Sequence, residues 1–369
     1  MPSGVDCIVV GAGIAGASLA WHLSGRIRAG RPRILVLERE IQAGTHATAQ
    51  NAAMVRGLSE DELSMSAEGV RFWNDPPPEL GLGGAFRRVG SLLLASTRAT
   101  LDRLGRLASR ARQRSLACEL WPPERCRERL PVLADTPILG AVFSPDDGVG
   151  DPATLVESFL REARRAGVGV RYACRVDEIL KARGAVRGLR VADGEEILSR
   201  RVVIAAGAWA GGLLERAGAP THGLTPYRRH LFQTAECPLL EASDPFVWHL
   251  DLECYFRPEA GGILFSACDE TEAAPGRPEI SPEIEAFAQD RLRTAFPFLL
   301  SQPIRRCWAG LRTFAEPRRL LVAAEARPRG LFSLAGLGGS GVTCAAPAGR
   351  LAAELLFPEE EPRQEPSRS

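Results

Sequence analysis

Four consecutive apolar residues, Cys7–Val10, begin the ordered pattern of the chain, and Ile34–Leu37 repeats it. Unbroken runs of this length predict strands buried on both faces of a parallel sheet. Between them Ala20, Trp21 and Leu23 fall at helical spacing. Further helical repeats cover 60–73 (Leu63, Ala67, Val70, Phe72), 100–114 and 281–296, and a last one runs to residue 357. Asp151 followed by Pro152 marks another start, an N-cap with proline at the first helical position, for a helix reaching about residue 166. Strand patterns occupy 87–95, 141–144, 168–174, 175–180, 201–209, 305–314, 318–324 and 331–336, with a hairpin-like pair across Gly184 and Gly194. From 230 to 267 several runs alternate apolar and polar residues, which predicts an antiparallel sheet in place of strand–helix–strand units. Residues 358–369 are charged and proline-rich and predict a disordered tail.

Composition narrows the partners. At 369 residues the chain is long enough for two domains, and its net charge of +1 supplies no global basic field for nucleic acid. No apolar run reaches the length of a membrane span, and the first residues lack the pattern of a signal peptide. The nine cysteines form no C-x-x-C pair, so neither a metal site nor a disulfide framework is indicated. Cys7, Cys254 and Cys268 sit in strand-like runs as small core residues. These features together predict a soluble protein in the reducing cytoplasm.

The chemistry begins where the first strand breaks into Gly11, Ala12, Gly13, Ile14, Ala15 and Gly16. Gly11 allows a tight turn, Gly13 a close approach of backbone to a pyrophosphate, and Gly16 close packing of helix on strand. The helix N-terminus then offers N–H groups and positive dipole to the phosphates. Glu38 ends the second strand, where a carboxylate can accept hydrogen bonds from a ribose diol and disfavours a 2′-phosphate. The loop 39–58 is rich in small and polar residues and lacks periodicity, as backbone shaped around a ligand would. His46 in that loop is read as a structural or cofactor-edge residue.

A second glycine cluster decides between dinucleotides. The strand at 331–336 opens into Gly336, Leu337, Gly338, Gly339, Ser340 and Gly341 before the terminal helix. A nicotinamide-binding fold has no need of this second helix N-terminus, whereas a flavin ring gains from one near N1 and O2, where negative charge develops on reduction.

These segments together, with VVIAAGAWA (202–210) and WAGLRTF (308–314), resemble the D-amino-acid oxidase superfamily of FAD-dependent amine oxidoreductases. The similarity runs from Val5 to about Leu356, and within the superfamily it is strongest to the bacterial D-arginine dehydrogenases. The resemblance implies an α/β fold: a discontinuous Rossmann-like FAD-binding domain (1–80, 145–220 and 305–357) and an α+β substrate domain with a mixed, largely antiparallel sheet (81–144 and 221–304). It implies noncovalent FAD. Gly11, Gly13, Ile14, Ala15, Gly16, Glu38 and Arg39 match the ADP-binding segment, and Thr45, Thr48, Gln50, Asn51, Ala53 and Met54 match the loop under the flavin. Val176 matches the strand meeting the adenine, and Ala206, Gly207 and Trp209 the strand end near pyrophosphate and ribitol. Gly310, Leu311, Arg312, Gly338, Gly339, Ser340, Gly341, Val342 and Thr343 match the segments at the flavin ring.

Oxidising an amino acid at Cα–N requires the carboxylate to be gripped so that Cα–H faces the flavin, a task suited to an arginine fork. Arg312 and Arg228 stand in suitable context, Tyr255 can add a hydroxyl, and Arg229 replaces Arg228 if the register slips by one. All but Arg229 match the carboxylate-binding positions of the D-arginine dehydrogenase pattern. Where that pattern has a histidine and then a tyrosine, this chain has Met54 and Ser59, and where it has a glutamate this chain reads Val89-Gly90-Ser91. Arginine is therefore disfavoured as substrate, and a neutral or apolar D-amino acid, an N-alkyl glycine or a cyclic imino acid is expected. The sole lysine, Lys181, lies away from the flavin motifs. That favours a dehydrogenase passing electrons to a quinone or dye over one using O2. The alternatives are a flavin-holding subunit of a hetero-oligomeric complex, active only with a partner subunit, and an NAD-dependent dehydrogenase.

Overall fold

The computed structural model describes residues 4–28 and 30–358. The first strand, Cys7–Val10, lies in the middle of a six-stranded sheet ordered Leu321–Ala324, Leu331–Ala335, Val202–Ile204, Cys7–Val10, Ile34–Leu37, Gly169–Arg171. All neighbours are parallel except Leu321–Ala324 against Leu331–Ala335. Alternation along the strand divides its residues between two cores. Cys7 and Val9 face the helices Ile14–Ser24, Pro152–Arg165 and Gly341–Leu356. Ile8 and Val10 face a three-stranded sheet (176–198) and the helix Ala210–Ala217. Burial on both sides explains why this strand is apolar throughout. Asp151 caps its helix as expected, Oδ1 accepting from the backbone N–H groups of Ala153 and Thr154 at 3.0 and 3.1 Å.

The second large sheet has nine strands and is antiparallel except where Phe246–His249 runs parallel to Ser91–Ala95. The α/β class with a mixed, largely antiparallel second sheet is therefore present. The boundary drawn at residue 305 does not follow the hydrogen bonds. Ile304–Phe314 pairs along its length with Thr225–Thr234, so it belongs to the second sheet.

Several predicted strands are shorter than their apolar runs. The run 87–95 divides at Gly90, whose φ of +79° turns the chain. Phe86–Arg88 joins a small sheet with Gly148–Gly150, and Ser91–Ala95 enters the nine-stranded one. The run 201–209 stops being a strand at Ile204 and ends in a 3-10 turn, Gly207–Trp209. Lys181 lies outside the large cavity, its Nζ donating to the Ala217 carbonyl at a helix C-terminus over 2.7 Å. Among the described residues no helix is long and apolar enough to cross a membrane. The expected tail, 358–369, falls outside the described residues apart from Pro358.

Candidate cofactor and substrate site

Both glycine turns open onto one cavity of ≈ 600 Å³ that runs between the two large sheets. Gly11, Gly13, Ile14 and Ala15 line it from the first turn, and Gly338, Gly339, Gly341 and Val342 from the second. Two helices, Ile14–Ser24 and Gly341–Leu356, thus begin at its wall and direct the positive ends of their dipoles towards it. Gly11 has φ +107°, and a Cβ there would stand 2.5 Å from the Ala205 carbonyl oxygen, so only glycine lets the first turn pass under Ala205 and Ala206. Gly16 does not reach the cavity. A Cβ on it would meet the Gly11 carbonyl oxygen at 1.9 Å, so its place is in the helix–strand contact.

Glu38 is buried at the end of the second strand and lines the cavity. Its carboxylate accepts from the N–H of Ala12 at 2.7 Å and from that of Glu40 at 3.0 Å. It therefore fixes the glycine turn as well as presenting oxygen to a ligand. Arg39 also lines the cavity, its guanidinium 4.3 Å above the Trp209 ring. The loop that follows folds back over the first helix. Thr48 Oγ1 accepts from the Ile14 N–H at 3.1 Å, and Asn51 Oδ1 from the Ala53 N–H at 2.6 Å. Thr45, Thr48, Gln50, Asn51, Ala53 and Met54 all line the cavity, as do Val176, Ala206, Gly207, Trp209, Gly310 and Leu311. Gly310 sits where the strand Ile304–Phe314 crosses this loop, and a Cβ on it would be 2.4 Å from the Gln50 carbonyl oxygen.

His46 lies on the cavity wall, edge-on to Trp209, with Nε2 2.9 Å from Glu40 Oε1. That hydrogen bond holds the Glu40 carboxyl below its ordinary range. Thr45 Oγ1, His46 Nδ1 and Arg229 Nε are buried polar atoms without a protein partner, and all three residues line the cavity. Buried polar groups are rarely left unpaired in a folded protein. Their position, beside two helix N-termini and a carboxylate, suits a long dinucleotide bearing phosphates and a polar ring, and FAD fits that description.

Strand alternation decides which of the candidate arginines face the cavity. In the long ladder Tyr227 is opposite Arg312 and Arg229 is opposite Gly310. Residues paired across a ladder share a face, so Arg229 and Arg312 project together on a diagonal. Both line the cavity. Arg228 points to the other face, where Nη1 donates to the Glu279 carbonyl at 3.3 Å, and it does not line the cavity. The expectation for Arg228 is thus corrected in favour of its neighbour. Tyr255 is fully buried and lies behind the wall, its hydroxyl accepting from Arg312 Nη2 at 3.2 Å. Ser340 and Thr343 do not line the cavity. Thr343 faces the loop instead, Oγ1 accepting from the Arg56 N–H at 3.0 Å.

Sequence reasoning passed over Arg56. Its guanidinium stands 4.4 Å over the Trp248 ring. Burial lowers its pKa from the ordinary value, Asp147 raises it again and Arg312 adds to the lowering. Unlike Met54, two residues before it, Arg56 does not line the cavity.

Comparison with known proteins agrees with this geometry. The sequence profile of the family described as FAD dependent oxidoreductase (DAO) matches residues 6–355. The chain is 28% identical, over 97% of its length, to 4-methylaminobutanoate oxidase (formaldehyde-forming) of Paenarthrobacter nicotinovorans, and covers 44% of that protein. It is 25% identical over 96% of its length to the mitochondrial pyruvate dehydrogenase phosphatase regulatory subunit of Mus musculus, covering 42% of it. The chain therefore spans less than half the length of either curated relative. Among solved structures, L-proline dehydrogenase from P. horikoshii superposes with a TM-score of 0.85 at 22% identity, covering 96% of this chain and 94% of that one.

Proposed function

The chain belongs to the FAD-dependent oxidoreductase family, and from that premise we propose that it oxidises the Cα–N bond of a small amino or imino acid, giving an imine that hydrolyses to an oxo acid and an amine. The observation that carries this reading is the pair Arg229 and Arg312, which line the same cavity as Gly310, Gly338, Gly339, Gly341 and Val342. Bound FAD supplies a two-electron acceptor for the hydride leaving Cα.

The residues do the rest by position. Arg312 and Arg229 hold the substrate carboxylate, and the Tyr255 hydroxyl fixes the Arg312 fork. Met54 and Trp248 pack with Tyr255 and Cys268 into an apolar wall that keeps water from the reacting carbon. Glu38 is no free base, since it holds two backbone N–H groups, and His46 lies against Trp209 in the cofactor loop with Nε2 paired to Glu40. The amine therefore loses its proton to water before the hydride leaves. The named substrate of the Paenarthrobacter relative, a secondary amine carrying an acid, supports a substrate of this kind. A D-configuration and an acceptor other than O2, a quinone or a dye, remain part of the proposal.

Mixing FAD-loaded protein anaerobically with D-amino acids, sarcosine, proline and other N-alkyl amino acids tests it. Loss of the flavin absorbance band with at least one of them is the expected result. FAD binding without reduction by any would overturn the reading. A second reading, a flavin-holding subunit reduced only with a partner chain, draws on the relative named as a regulatory subunit. Reduction that appears only after adding a partner would favour it.

A further inference from the structure

Arg257 is a buried cation with no part in the chemistry proposed above. It sits on the strand Cys254–Glu259 of the second large sheet and is only 3% exposed. A guanidinium so placed is costly unless its N–H groups find acceptors. Nη1 donates to the Pro258 carbonyl at 3.0 Å and to the Glu259 carboxylate, both on its own strand. Nε leaves the sheet and donates at 2.7 Å to the Ala52 carbonyl, 205 residues away in the cofactor loop. The counter-charge is thus local, while one donor crosses to the other half of the molecule.

The peptide that receives it is held from both sides. Across the Ala52–Ala53 bond the Ala53 N–H donates to Asn51 Oδ1 at 2.6 Å, and Asn51 Nδ2 donates to the Ala47 and Thr48 carbonyls at 2.9 and 2.7 Å. One peptide plane is therefore gripped at both edges, by Arg257 on its oxygen and by Asn51 on its nitrogen. Ala53 has φ +55°, left-handed backbone that alanine avoids. Rotating the plane by about half a turn would return Ala53 to negative φ, so the grip holds the loop out of its relaxed state. Ala52, Ala53 and Met54 all line the cavity. The Ala53 carbonyl accepts from the Gly150 N–H at 2.9 Å, beside the pairing of Met54–Val55 with Gly148 and Val149. A turned plane would disturb that stretch of wall.

We propose that Arg257 is a positioning residue: reaching across from the second sheet, it locks the Ala52–Ala53 peptide in the orientation that shapes the cavity wall for FAD. This goes beyond the function proposed above and depends on FAD binding alone, not on the substrate. It makes the second sheet, and not only the glycine turns, a determinant of how the cofactor is held.

Release of FAD from the loaded full-length protein, followed as the rise of free-flavin fluorescence after dilution, reads the wall without turnover. Arg257→Met keeps the aliphatic stem and removes the donor. FAD should then leave about 10- to 100-fold faster, the scale of a lost charge-assisted hydrogen bond. Ala53→Gly removes the backbone penalty for positive φ. In the Ala53→Gly background the acceleration caused by Arg257→Met should be at least about fivefold smaller than in the native background. Arg257→Lys keeps the charge without the fork. Its release rate should fall between native and Arg257→Met, its effect should shrink in the same way, and it carries the test if Arg257→Met does not fold. Urea unfolding of the same proteins separates this role from general support of the sheet, which would lower stability alike in both backgrounds with no coupling to Ala53. Release at the native rate from Arg257→Met, or from Arg257→Lys where only that variant folds, overturns the inference. So does an equal acceleration in both backgrounds.

Discussion

Arg229 stands opposite Gly310, and two residues along the same strand from Gly310 stands Arg312. With no side chain at Gly310 the two guanidinium groups share the face that lines the cavity, and the strand passes close over the Gln50 carbonyl. One ladder register therefore sets both the arginine pair proposed to bind an acid and the contact between the sheet and the cofactor loop.

Arg229→Met and Arg228→Met separate these neighbouring arginines. The first should weaken binding of a carboxylate ligand by about 10- to 100-fold, the usual scale for losing a charge-assisted contact. The second, half-buried on the opposite face and away from the cavity, should change it less than about threefold. Titration of the flavin spectrum with an unreactive carboxylate reads both.

Tyr255→Phe removes the acceptor for Arg312 Nη2 while keeping the buried ring. The expected effect is a rise in KM with a smaller change in kcat, equivalent to about 1 kcal/mol in kcat/KM. Steady-state kinetics over a range of substrate concentration check the split.

Gly310→Ala should force the Gln50 segment away from the strand, since the new methyl would lie 2.4 Å from a carbonyl oxygen. FAD content after purification is expected to fall sharply while the far-ultraviolet circular dichroism stays native. The ratio of flavin to protein absorbance measures it.

Asp147 gives a pH-dependent prediction. Burial raises its carboxyl pKa from 3.8 to about 7, against lowering by Ser91, Gly57 and Arg56. A carboxyl with a raised folded value keeps its proton longer in the fold than in the unfolded chain. Stability is thus highest at low pH for this group, falls as pH rises from about 4 to 7, and levels off above, by as much as about 4 kcal/mol. In Asp147→Asn this fall should vanish, so the variant gains on the native protein as pH rises through that window. Urea unfolding of both proteins at several pH values gives the difference.

The sequence displayed the parallel sheet and both glycine turns plainly because their causes are local. A four-residue apolar run can only be buried on two faces, and the turn after Val10 needs glycine where φ is +107°. The substrate side was less legible. Whether Arg228 or Arg229 meets the ligand depends on the parity of a strand, and parity is fixed by a partner more than 75 residues away in sequence, at Gly310. Thr343 and Ser340 followed the second glycine motif into the list of cofactor residues, yet the turn directs Thr343 to the Arg56 backbone. Arg56 carried no motif. It becomes visible only when Trp248, from a distant strand, is seen beneath it.

The central claim is that the guanidinium of Arg312 holds an acid in the cleft closed by both ends of the chain. Anaerobic stopped-flow reduction of the bound flavin, comparing native protein with Arg312→Met at saturating FAD, addresses it most directly. With the best amine substrate at fixed subsaturating concentration, the native flavin should bleach at least about 100-fold faster than that of the variant. Equal rates in two proteins with equal flavin content would contradict the account.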